Sequence, residues 1–165
     1  METTKPAPAI VRQAEDAERR WFLGGGTHTW PATESETGGA FLLFEDEMTQ
    51  GKVTPMHTHP ESDESMYVLS GEILMNVDGA EHRLGAGCFV MVPRGVPHAF
   101  MVLSVGARLL CLHTRGSAQA FYLGASELLH KDEPGFGVVD FDRVRESGRV
   151  NGGLEILGPP PFNAP

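Results

Sequence analysis

The chain has 165 residues, a formal net charge of −9, 20 glycines, 12 prolines and two cysteines. That length suits one domain with a substantial core of its own, and the acidic balance argues against a nucleic-acid backbone or an anionic membrane as partner. No run approaches the ~18 apolar residues of a membrane span, and no charged-then-apolar leader opens the sequence, so the expected location is cytoplasmic.

Residues 1–20 read as an N-terminal arm: a Pro/Thr/Ala-rich start, then a charged stretch from Val11 to Arg20 that suits a short helix or an extended lead-in. Apolar material begins at Trp21-Phe22-Leu23. Gly24-Gly25-Gly26 is a breaker, since it lacks the strand-turn-helix setting of a phosphate loop. Phe41–Phe44 is an apolar strand followed by Glu45-Asp46-Glu47, expected to be a solvated strand end. Met66–Leu69 is a strand closed by Ser70-Gly71. Ile73–Val77 and Ala80–Leu84 flank Asp78-Gly79, the strongest hairpin signal in the chain. Cys88–Val92, Phe100–Leu103 and Arg108–His113 are three further strands. Short strands at this even spacing indicate an all-β chain, an antiparallel sandwich or barrel, over residues 21–130. Cys88 and Cys111 lie in apolar runs and read as free thiols of the core.

The tail, residues 131–165, differs in texture. A helix beginning near Ala118 is expected to end at Glu127–His130, and Phe141–Glu146 suits a short helix capped by Asp140. Gly158-Pro-Pro-Pro161 is extended. These pieces are expected to pack on the outside of the barrel or across a subunit interface.

The chemistry is concentrated in two blocks. His57 and His59 stand two apart, so they share one face of a strand. Glu64 follows a short turn, with Met66 and Val68 on its parity, and His98 follows Pro93–Pro97, with Phe100 and Val102 on its own. Three imidazoles and a carboxylate suit one divalent ion of the Mn, Fe, Co, Ni, Cu and Zn group. Glu64 has a second use, as general base toward a substrate hydroxyl. Lone histidines at 28, 82, 113 and 130 read as surface or core residues; strand parity with Leu109 and Cys111 brings His113 nearest the cavity. The cavity wall depends on which of Phe41, Leu43, Met66, Phe89, Met91 and Phe100 point inward.

These blocks resemble the cupin family. The motif G-x5-H-x-H-x4-E-x6-G is met at Gly51, His57, His59, Glu64 and Gly71. The motif G-x5-P-x-G-x2-H-x3-N is met at Gly87, Pro93, Gly95 and His98, with Val102 in place of Asn. The resemblance implies a single jelly-roll β-barrel with short helices in the C-terminal tail, and His57, His59, Glu64 and His98 as ligands of one metal ion inside it. The missing Asn makes the pocket more apolar and favours an aromatic substrate. Trp21–Gly24, Thr37–Phe41 and Leu154–Pro161 further resemble single-domain cupins related to quercetin 2,3-dioxygenase. That likeness implies a dioxygenase that takes a flavonol or similar enolisable aromatic and O2. In that group the deprotonated 3-hydroxyl binds the metal, Glu64 would serve as base, and dioxygen cleaves the heterocycle with loss of carbon monoxide. A non-redox isomerase or cyclase of polyketide or other small-molecule metabolism is the alternative, and a metabolite-binding cupin ranks third because no DNA-binding domain accompanies the barrel. Small barrels of this kind pair through sheet edges and arms, so a homodimer is expected.

Overall fold

Strand alternation in 41–49, 63–70 and 106–114 decides the architecture, because these strands carry apolar side chains at alternate positions and must bury that face. The computed structural model describes residues 7–115 and 118–163. A single 3-10 turn, Ala14–Asp16, precedes twelve strands: β1 (Glu18–Phe22), β2 (Gly26–Ala32), β3 (Phe41–Thr49), β4 (Met56–Thr58), β5 (Asp63–Ser70), β6 (Glu72–Val77), β7 (Ala80–Gly85), β8 (Phe89–Val92), β9 (His98–Val102), β10 (Gly106–Thr114), β11 (Ser126–Leu128) and β12 (Glu155–Gly158). Two helices, α1 (Ala118–Gly124) and α2 (Phe141–Asn151), complete it.

The strands form two antiparallel sheets. One has the order β11-β1-β2-β3-β10-β5-β8 and the other β12-β4-β9-β6-β7. Among the described residues no ladder joins them, so the expected closed barrel is a pair of facing sheets. The chain changes sheets at tight corners instead of through continuous pairing. Gly71 is such a corner, with φ +81, and a Cβ there would run into the Gly106 carbonyl. Leu42, Phe44, Met66, Val68, Leu109 and Cys111 from the larger sheet meet Ile73, Met75, Phe100 and Val102 from the smaller, and this is the core.

Several expectations need correction. Asp46 is buried, not solvated: β3 continues to Thr49, and its alternation turns Leu42, Phe44, Asp46 and Met48 inward. The helix expected to reach His130 stops at Gly124, because Ser126–Leu128 is captured as a strand beside β1, with Arg20 opposite Leu128. The second helix runs five residues past Glu146, and Asp140 caps it, accepting from the Arg143 N–H at 3.0 Å. The Asp78-Gly79 hairpin forms as expected, with both residues at positive φ (49° and 83°). Cys111 is buried and Cys88 half-buried, both free. The tail adds β12 to the edge of the smaller sheet, where Ile156 lies opposite His57.

Candidate metal centre

His57, His59, Glu64 and His98 come together from separate elements. β4 and β9 pair at one point, His57 opposite His98, and β5 brings Glu64 from the facing sheet. One ligand atom from each of the four lies within 4.8 Å of all the others, and all four residues are buried. The corner before β9 is tied to β5 by Asp63, which accepts from the Arg94 backbone N–H (2.9 Å) and from its guanidinium (2.8 Å). Glu64 and the loop leading to His98 are thereby held in mutual register.

Each imidazole is oriented through Nδ1. His57 Nδ1 lies 2.8 Å from the Pro55 carbonyl, His59 Nδ1 2.7 Å from the Gly153 carbonyl, and His98 Nδ1 3.0 Å from the Val96 carbonyl. A carbonyl only accepts, so Nδ1 carries the proton and Nε2 is left as a donor of electrons toward the cluster. Glu64 Oε2 sits 2.8 Å from His98 Nε2 and 3.3 Å from His59 Nε2. Burial pushes the Glu64 carboxyl up, but His59 and His113 overcome it and hold it well below the usual carboxylate range. Burial, with His98 and His59 alongside, pushes His57 down to about 3. Burial also works against a charged His98, yet its contact with Glu64 raises it.

This donor set fits a divalent ion. His59 Nε2 is buried without a hydrogen-bond partner and faces a carboxylate oxygen, an arrangement that calls for a cation between them. Three imidazoles and one carboxylate suit the borderline transition ions.

A fifth residue reaches the cluster that the motif does not name. His113, fully buried on β10, is paired in register with Glu64, and its Nε2 lies 3.3 Å from Glu64 Oε1 and 3.2 Å from the Tyr122 hydroxyl. His113 is a buried core histidine, as expected, and in addition it contacts Glu64. The signal was its parity: Ala107, Leu109, Cys111 and His113 all point inward. Tyr122 comes from α1, whose inward face no strand rule could locate. His28 is a buried core residue, while His82 and His130 stay outside the cluster.

The cavity beside the cluster is walled by Phe22, Phe44, Met66, Phe100, Phe121 and Tyr122, with Phe141, Val144 and Leu154 from the tail, and has a free volume of about 50 Å³. Of the candidate wall residues, Met66 and Phe100 do point inward, Phe41 and Leu43 are half-buried, and Phe89 and Met91 face out. Leu42 and Phe44 take the inward places instead.

Residues 44–113 match the family described as Cupin domain, and that span contains all four clustered residues. Over that stretch the chain is similar to the cupin superfamily. The chain is 27% identical over 115 residues to the quercetin 2,3-dioxygenase of Bacillus subtilis, covering 70% of its own length and 34% of that protein. It thus spans about a third of the relative it matches. Solved structures that share its fold include an RmlC-like cupin from Shewanella frigidimarina (TM-score 0.58, 22% identity, 66% of this chain and 93% of the other) and the polyketide cyclase of Streptomyces resistomycificus (TM-score 0.56, 24% identity, 65% and 80%).

Proposed function

We propose that this protein is a metal-dependent enzyme acting on a small, largely apolar molecule through an oxygen of that molecule, and that its reaction is dioxygenation of an enolisable aromatic of the flavonol kind. The observation that carries the reading is the convergence of three Nδ1-anchored imidazoles and an ionised carboxylate on an aromatic-walled cavity. The relative among quercetin 2,3-dioxygenases gives it direction.

In this reading His57, His59, His98 and Glu64 Oε2 hold the ion. When bound, that ion supplies Lewis acidity toward a substrate oxygen and, if redox-active, a route for electrons to dioxygen. The protein's own contribution is proton handling and exclusion of water. Glu64 Oε1 accepts the proton of the substrate hydroxyl, and His113 Nε2 and the Tyr122 hydroxyl sit beside it to orient and share that proton. Phe44, Met66 and Phe100 keep the carboxylate out of bulk water. The free volume of about 50 Å³ is below the ~150 Å³ of a cavity that admits benzene. A ring compound therefore enters by displacing the wall made of Phe141, Val144 and Leu154, the part carried by the tail. Domain limits follow the same logic: residues 21–130 hold the ligands, and 131–165 supply that wall.

The test is oxygen uptake by protein reconstituted separately with Mn, Fe, Co and Ni, with quercetin as first substrate and metal-free protein as control. Metal-dependent uptake matched to loss of quercetin supports the dioxygenase. No uptake with metal bound sinks it. A second reading, a non-redox isomerase or cyclase, is favoured by the Glu64–His113–Tyr122 chain, an acid–base array that needs no oxygen; turnover under argon would establish it.

We further propose a homodimer. Tyr67, Leu69, Phe89 and Met91 expose apolar surface on the outer face of β5 and β8, and among the described residues β8 pairs with β5 alone, which leaves an open sheet edge. A monodisperse monomer in light scattering would refute it.

A further inference from the structure

Three polar side chains line the same cavity and take no part in the metal cluster. Asp46 on β3 accepts from Lys52 Nζ at 3.0 Å, and its same oxygen, Oδ2, lies 3.6 Å from His28 Nε2. Their side chains are only 5%, 5% and 2% exposed, in the order Asp46, Lys52, His28. Burial works against an ionised Asp46, yet Lys52 and His28 together hold its carboxyl below the usual range. His28 is clamped flat between the rings of Phe22 (4.9 Å) and Phe44 (4.3 Å). A buried ion pair is a poor stabiliser compared with an apolar pair of the same shape. Its presence in this wall calls for another use.

The hydrogen bonding of the group is incomplete. One Lys52 N–H is taken by Asp46, while the ammonium otherwise faces the rings of Phe22 and Phe100, 5.2 and 5.5 Å from their centres. Asp46 Oδ1 and His28 Nδ1 are buried with no partner. On β2, a Cβ at Gly26 would collide with Asp46 Oδ1 and crowd Lys52 Nζ at 3.1 Å. The carboxylate and the ammonium thus sit where a side chain at position 26 would be, and they bring an acceptor without a partner and a charged donor to the cavity wall.

The charge of the pair narrows what belongs there. Lys52 and Asp46 sum to zero, so an anion would face the carboxylate and a cation the ammonium. A carbonyl would accept from Lys52 and leave Asp46 Oδ1 unfilled. A hydroxyl satisfies both, accepting from Nζ–H and donating to Oδ1.

We propose that Lys52 and Asp46, backed by His28, form a hydroxyl-recognition subsite in the cavity wall. It selects substrates that carry a metal-seeking oxygen at one position and a neutral hydroxyl at another. This rests on the reading that His57, His59, Glu64 and His98 hold a metal ion. The substrate class is thus a hydroxylated phenol or enol, not a simple hydrocarbon ring or a dicarboxylate.

The test is anaerobic titration of cobalt-loaded protein, read by calorimetry and by the visible absorption of the ion. The probes are benzoate, its 3- and 4-hydroxy derivatives and the corresponding methoxy ethers, with butyrate and 4-hydroxybutyrate for the case where a ring is too wide. A hydroxylated probe should bind about tenfold or more tighter than its parent acid, as expected for hydrogen bonds to charged groups. The methoxy ethers should lack the gain, because they cannot donate to Asp46. The double variant Asp46→Asn/Lys52→Met, which removes the charges together, should lose the gain and keep the affinity for benzoate or butyrate. Equal affinity for hydroxylated and parent probes, a gain shared by the ethers, or a gain that survives in the double variant overturns the proposal and leaves buried water as the occupant. Failure of all probes to bind the cobalt-loaded protein overturns it as well. Cobalt that does not bind stoichiometrically defeats the metal reading before any probe is added, whereas absent oxygen uptake with quercetin leaves this titration intact.

Discussion

Removing Lys52 alone should be far more damaging than removing it together with Asp46. Both side chains are almost wholly buried and lie 3.0 Å apart. Lys52→Met leaves the Asp46 carboxylate in an aromatic wall with only His28 Nε2, at 3.6 Å, to offset it. Breaking a buried pair in this way costs about 3–5 kcal/mol, whereas replacing both members with neutral groups of similar shape is close to neutral. With a urea slope of about 2 kcal/mol per molar, the single variant should unfold at a midpoint roughly 1.5–2.5 M lower. Asp46→Asn/Lys52→Met should fall within about 1 kcal/mol of the parent chain. The assay is equilibrium urea unfolding of metal-free protein, followed by tryptophan fluorescence and circular dichroism for all four members of the cycle. A Lys52→Met cost below about 1 kcal/mol, or a double variant as damaged as the sum of the singles, would refute the claim that the two charges are interdependent and dry.

Three further outcomes follow from named contacts. Gly26→Ala should destabilise by about 1–3 kcal/mol, because its Cβ must displace Asp46 and Lys52, and thermal melts of wild type and variant check this. Tyr122→Phe should retain full metal stoichiometry by elemental analysis and cost about 1 kcal/mol of stability, since the hydroxyl bonds His113 and no other described residue; loss of the metal would contradict its place outside the ligand set. Glu36 is drawn down to about 2 by Arg12, Thr33 and the Thr33 backbone. Its folded value is depressed, so its contribution is fully present above the ordinary 4.5 and is lost as pH falls through about 2. Arg12→Gln should raise the Glu36 titration in carbon-detected NMR and move the acid limb of the melting curve to higher pH.

The four clustered residues were legible in two ways: two histidines at i and i+2 share a face, and the resemblance to the cupin motifs placed Glu64 and His98 beside them. The hairpin at Asp78-Gly79 and the Asp140 cap were legible for similar local reasons. What the sequence hid depended on partners far along the chain. Asp46 sits in a run of three acidic residues, and only the uninterrupted alternation of β3 shows that the middle one is turned inward. His113 enters the cluster through the register of β10 on β5, which no local pattern states. Ser126–Leu128 has the composition of a helix end and becomes a strand because β1 offers it an open edge. The inward placing of Leu42 and Phe44 rather than Phe41 and Leu43 is a one-residue choice of parity, and the register of β3 against β10 makes it.

The hydrogen bond from His59 to the Gly153 carbonyl spans 94 residues of sequence. During synthesis His59 emerges long before the segment that orients its ring. Until Gly153 has left the ribosome, Nδ1 has no acceptor, either ring nitrogen can carry the proton, and the cluster presents two aligned imidazoles instead of three. If the cluster takes an ion, a chain cut short before Gly153 should therefore release it to a chelator more readily than the full sequence does.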